Sequence, residues 1–162
     1  MEHIVELAAR VGRCLQERGL LLASTESCTG GGVAQAITEI AGSSAWFECG
    51  FVTYSNASKV SLLHVPESLL AQHGAVSKET AAAMCAGALA NSRATVALST
   101  TGIAGPDGAV PGKPVGTVCF GWATGTRTHV EQMLFRGDRH AVREQSVAHA
   151  LTGLLEFLTT AR

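Results

Sequence analysis

Residues 20–32 read LLLASTESCTGGG, and the passage from an apolar run to a glycine triplet decides the fold. Leu20 to Ser24 is a short, nearly unbroken apolar run. That pattern fits a strand buried on both faces, because a parallel strand covered by helices above and below has no solvent side to alternate with. Beyond the glycines, Val33, Ile37, Ile40 and Ala41 return at helical spacing, which predicts a helix. Strand, glycine turn and helix together make the first half of a β–α unit.

Working outward, Ile4, Leu7, Ala8, Val11 and Leu15 predict an amphipathic helix over 3–18, ended by Gly19. Trp46 to Tyr54 reads as a second strand. Ser55 caps a helix beginning near Asn56, with Lys59 in its first turn. Pro66 opens another short helix, and Ser77 caps one over 78–92. In that last helix Ala83, Ala86, Gly87 and Ala90 form a small-residue face, expected to let it approach the sheet closely. Thr95 to Thr100 is a third strand. Val115 to Ala123 and Arg127 to Phe135 are two more, and the short connection Thr124-Gly125-Thr126 makes them an antiparallel hairpin. A final helix over 138–160 carries Val147, Leu151, Leu154, Leu155 and Leu158 on one face.

Strands separated by helices give a three-layer α/β/α sandwich. The sheet is expected to be mixed but mostly parallel, with about five strands and one of them antiparallel. The fifth strand then runs with the first three. Ligands in open α/β sheets bind beyond the carboxyl ends of parallel strands, where four polar or glycine-bearing segments meet: 25–32, 54–59, 100–114 and 136–143.

The 162 residues suit one domain, 1–162, and a 46% hydrophobic share with 15% charged residues places the chain in the globular class. No apolar stretch approaches the ~20 residues of a membrane span, and the N-terminus lacks the apolar block of a signal peptide. A cytoplasmic protein with no membrane partner is expected. Net charge is −1, there is no basic run and only one Tyr, so nucleic acid is not an expected partner. Five scattered cysteines without CxxC, and six histidines without HxxxH or HExxH, give no zinc or disulfide framework. Neither metal nor cofactor is expected.

Within ESCTGGG, Ser27 fits two roles. It can attack a carbonyl while nearby amides hold the oxyanion, or Ser27 and Thr29 can simply cap the helix. Cys28 is a competing nucleophile, although packing suits it better without a histidine partner. The segment matches neither GxxxxGK[ST] nor GxSxG. Lys59 can act as a base if burial strips its proton, with Tyr54 at the strand end as a relay. Otherwise both are surface residues. Thr100, Thr101, Gly102 and Gly105 belong to a glycine- and proline-rich loop that can nest an anion. One of Arg136, Arg139 and Arg143 can bind a phosphate or carboxylate bidentately.

Six segments taken in order, ESCTGG at 26–31, TYSNASK at 53–59, GAVSKETA at 74–81, STTGIAGPDG at 99–108, KPVGTV at 113–118 and FRGDRHAVR at 135–143, resemble the CinA C-terminal domain family. The resemblance implies deamidation of nicotinamide mononucleotide to nicotinic acid mononucleotide and ammonia, within pyridine nucleotide recycling. It implies Ser27 as nucleophile, Tyr54 and Lys59 as catalytic partners, and Thr101 and Arg139 at the substrate. Thr29, Gly30, Gly31, Gly102 and Gly105 complete the expected substrate contacts. A homodimer is expected from the same resemblance. A non-catalytic pyridine-nucleotide-binding domain and an interaction module are the alternatives.

Overall fold

In the computed structural model, which describes residues 2–160, the apolar run and the polar residues after it form β1 (Leu22–Glu26), every residue of it buried. The strand sits two residues later than its hydrophobicity suggests. Thr25 and Glu26 extend the ladder, pairing with Phe51 and Val52 on one side and Ser99 and Thr100 on the other.

Before β1 runs α1 (Glu2–Glu17), and after it come α2 (Gly32–Thr38) and β2 (Phe47–Val52). Three helices follow: α3 (Asn56–Leu63), α4 (Glu67–His73) and α5 (Lys78–Ala90). Then come β3 (Val96–Gly102), β4 (Thr117–Thr124), β5 (Thr128–Leu134) and α6 (Arg139–Thr159). The sheet order is β2-β1-β3-β4-β5. β1 is parallel to β2 and β3, whereas β4 is antiparallel to both β3 and β5. One strand of five therefore runs against the rest, and β1, β2, β3 and β5 all end at the same edge.

Period-2 alternation along each strand sends neighbouring side chains to opposite faces. Leu22, Val96, Leu98, Phe120 and Trp122 pack with α1, α2 and α6. Ala23, Ala97 and Ala123 pack with the layer of α3, α4 and α5. The second face is built from small strand residues, which brings α5 close: Ser99 Oγ donates to Ala81 O at 2.7 Å across that interface. The expected stripe of Ala83, Ala86, Gly87 and Ala90 does not face the sheet. Met84, Cys85 and Ala88 take that side, Ala86 and Ala90 are exposed, and Gly87 lets α3 approach, since a Cβ there would lie 2.1 Å from Leu63 O. Among the described residues, no helix is long and apolar enough to cross a membrane.

Candidate active site

Lys59 enters the site because of a cap. Ser55 Oγ accepts from Ser58 N at 3.0 Å and starts α3, which puts Lys59 one turn in, with its side chain directed back under the end of β2. Only 1% of Lys59 is exposed. Its Nζ lies 2.9 Å from Thr53 O, 3.2 Å from Tyr54 O and 3.2 Å from Ser27 Oγ. Burial pushes its pKa below the usual lysine value, because a low-dielectric site penalises the charged form. A Cys28 thiolate would oppose that shift. Burial, however, pushes the Cys28 thiol up to about 12, so at neutral pH no thiolate forms there and Cys28 is a poor nucleophile.

A neutral amine has two N–H groups and one lone pair, and the two carbonyls take the two N–H groups. The lone pair then remains for the hydroxyl of Ser27. The protonated amine instead donates to all three, and Ser27 Oγ can turn its own proton to Tyr54 O at 3.3 Å. Both protonation states are satisfied by the same atoms.

Ser27 sits at the mouth of β1, its amide donating to Thr100 O at 2.9 Å. The turn after it is organised by Glu26, a fully buried carboxylate. Glu26 accepts from Thr29 Oγ1 at 2.6 Å, Val33 N at 2.9 Å and Ala34 N at 3.1 Å, caring for the unpaired amides at the start of α2. Thr29 Oγ1 also lies 2.7 Å from Thr100 Oγ1. Gly30 and Gly31 take φ of 58° and 98°, the left-handed region that glycine enters without Cβ strain. Gly30 N donates to Ser27 O and Gly32 N to Thr29 O. The amides of Thr29 and Gly31 meet no acceptor among the described residues, and that of Cys28 faces its own sulfur. The side chain of Thr29 is thus a structural member of the turn, and Gly30 and Gly31 shape it from outside the cleft.

The cleft itself, about 310 Å³, opens beyond the carboxyl ends of β1, β2 and β3. Ser27, Cys28 and Lys59 lie on its wall, with Thr101, Gly102 and Gly105 opposite and Tyr54 and Arg139 at the rim. Thr101 Oγ1 donates to Ala75 O at 2.7 Å. Arg139, in the first turn of α6, donates to Gly105 O at 2.8 Å and to the Tyr54 hydroxyl at 3.0 Å. Tyr54 therefore touches Ser27 and Lys59 through its carbonyl, while its phenol turns outward to Arg139 and away from the proton relay expected of it. Of the three arginines considered, Arg139 reaches the cleft. Arg143 donates instead to Cys28 O and Thr29 O, and Arg136 is exposed. Asn56, Asp107, Ala75 and Val76 also border the cleft, beyond the site residues expected from the sequence. Ala75 and Val76 arrive from the α4–α5 connection, a segment no strand end announces.

Similar proteins are found both by sequence and by structure. The nicotinamide-nucleotide amidohydrolase PncC of Pseudomonas putida is 53% identical over 159 residues, which is 98% of this chain and 99% of the relative. The protein of that name from Escherichia coli K12 is 52% identical, covering 94% of this chain and 93% of its own length. The crystal structure of the competence damage-inducible protein A (ComA) from Klebsiella pneumoniae superposes with a TM-score of 0.95 at 39% identity, covering 98% of this chain and 99% of that one. The profile of the CinA C-terminal domain matches residues 4–158, and the chain belongs to that family.

Proposed function

We propose that this chain hydrolyses the carboxamide of nicotinamide mononucleotide to nicotinic acid mononucleotide and ammonia, through a serine acyl-enzyme, and so serves pyridine nucleotide recycling. The observation that carries the chemistry is the contact of the buried Lys59 Nζ, its pKa lowered by that burial, with Ser27 Oγ at 3.2 Å. The names of relatives that are just over 50% identical across nearly the whole chain supply the substrate.

Lys59 takes the Ser27 proton as Oγ bonds to the amide carbon. The carbonyl oxygen becomes an oxyanion, received by the amides of Cys28 and Thr29. Collapse of the tetrahedral adduct breaks the carbon–nitrogen bond, and the Lys59 ammonium returns the proton so that ammonia leaves. A water then gives its proton to Lys59 and its hydroxide to the acyl carbon; the ester bond to Oγ breaks as the Lys59 ammonium returns the proton to Ser27, and the acid product leaves and loses its own proton to solvent. Arg139 is the cation placed for the 5′-phosphate, its guanidinium held by Gly105 O and the Tyr54 hydroxyl. The amides around Gly102 and Gly105 form the neighbouring anion nest. Tyr54, 60% exposed, offers its ring at the entrance to the pyridinium of the substrate.

Incubating the purified protein with nicotinamide mononucleotide, and following ammonia and nicotinic acid mononucleotide together, tests this reading. Equimolar appearance of the two products supports it. Thermal stabilisation by the nucleotide with no product would replace it with a binding domain.

A further inference from the structure

The turn that bears Ser27 is gripped from behind by a residue that never reaches the cleft. Arg143, on the second turn of α6, donates from Nε to Cys28 O at 3.2 Å and from Nη2 to Thr29 O at 3.4 Å. Its guanidinium lies against Gly30, where a Cβ would sit 3.4 Å from Nη2. Arg143 and Thr29 both border a separate groove of about 150 Å³ shared by α1, α2 and α6, whereas the wall of the catalytic cleft includes Ser27 and Cys28 but neither of them.

Peptide planarity turns this grip into an orientation. In a trans peptide the C=O and the N–H of one unit point in opposite directions. The carbonyl of Cys28 belongs to the same unit as the amide of Thr29, so drawing that carbonyl back toward α6 turns the Thr29 N–H the other way. The next unit is fixed as well, its carbonyl on Arg143 and its Gly30 amide on Ser27 O. Thr29 is also held by its side chain on Glu26, so its free amide has one direction left. A charged donor on the carbonyl further polarises the unit and strengthens its N–H as a donor.

We infer that Arg143 is the positioning residue of the oxyanion site, fixing the Thr29 amide toward the carbonyl attacked by Ser27. The inference rests on the serine-amidase reading above, although not on the identity of the substrate.

Arg143→Ala and Arg143→Lys test it with two readouts. One is turnover of nicotinamide mononucleotide. The other is the rate at which a fluorophosphonate labels Ser27, where the serine oxygen displaces fluoride and the phosphoryl oxygen occupies the oxyanion site. Outright loss of one oxyanion donor costs about 10²–10³ in kcat, and a donor left in place but no longer aimed should cost about 10- to 100-fold. We expect Arg143→Ala to lose that much in both kcat and labelling rate, with KM and Tm close to the parent's. Methylguanidinium in solution should restore part of the loss. Lysine, a point charge unable to span two carbonyls, should restore little. Parental rates in both variants would overturn the inference, as would a loss that follows Tm and vanishes on cooling. Slower Ser27 labelling in the two variants, beside a parent that labels but releases no ammonia, would keep Arg143 in this role and sink the substrate assignment.

Discussion

Replacing Lys59 with Met removes one polar atom and almost no volume, which makes it the sharpest probe of the base. The side chain is buried at 1% exposure, and a linear apolar chain of nearly equal length fits the same space. Nζ leaves three partners behind: Thr53 O, Tyr54 O and Ser27 Oγ. Two carbonyls without donors cost about 1–3 kcal/mol each, offset by relief from burying an amine, so the variant should remain folded. Catalytically, loss of a positioned base costs about 10²–10⁴ in rate, or roughly 2.7–5.4 kcal/mol in the barrier at ~1.36 kcal/mol per decade. The parent should also show kcat/KM rising with pH as one proton leaves Lys59, with an inflection below 10.5, the ordinary lysine value.

The same shift acts on stability, with a definite sign. Burial lowers the folded pKa of Lys59, so between that lowered value and 10.5 the unfolded chain holds a proton that the folded chain lacks. Stability therefore rises with pH across this window and is lost as pH falls toward the folded pKa, by up to ~1.36 kcal/mol per pH unit. Lys59→Met should lack this slope. Urea unfolding of both proteins at a series of pH values, beside ammonia-release kinetics, checks both halves. Activity within tenfold of the parent, or a parental pH slope surviving in the variant, would refute the assignment of Lys59 as the base.

Three further outcomes follow from the geometry. Arg139→Ala should raise KM for nicotinamide mononucleotide by about 10- to 100-fold, the worth of a charge-assisted contact of ~1.5–3 kcal/mol, with far less effect on the phosphate-free riboside; steady-state kinetics on the two substrates separate these. Cys28→Ala should retain turnover within about threefold, since a thiol pushed up to about 12 is not the nucleophile, and iodoacetamide at neutral pH should leave activity intact. Gly153→Ala should destabilise the fold by at least ~1–3 kcal/mol through overpacking, because its Cβ would fall 2.0 Å from the Trp122 ring; the unfolding midpoint and Trp fluorescence report it.

The sequence announces the sheet and its functional edge because both rest on local signals. A doubly buried strand followed by glycines, Ser55 and Ser77 as helix caps, and a glycine hairpin specify elements, and strand direction then places their ends together. The cap and the helical pitch put Lys59 in the first turn of α3, and its place beside Ser27 came from the family resemblance. What stayed illegible depends on tertiary packing. Thr25 and Glu26 look like loop, yet both are fully buried, because the Glu26 carboxylate serves backbone amides seven and eight residues ahead. The alanine stripe of α5 misleads, since small residues permit close approach to a helix as readily as to a sheet. Tyr54 carries a conspicuous hydroxyl, but its carbonyl makes the contact with Ser27, and no side-chain pattern encodes a carbonyl's role. Ala75 and Val76 reach the cleft through the packing of α4 and α5 and bear no chemical signature.

Ammonia release from nicotinamide mononucleotide by Ser27→Ala, measured beside the parent on protein purified identically, tests the central claim most directly. The variant loses one oxygen at a site only 7% exposed and should fold as the parent does while losing turnover to background, a fall of about 10⁴-fold or more for a nucleophile acting as a unit with its base. Turnover by Ser27→Ala equal to that of the parent would contradict the account and place the chemistry on another residue.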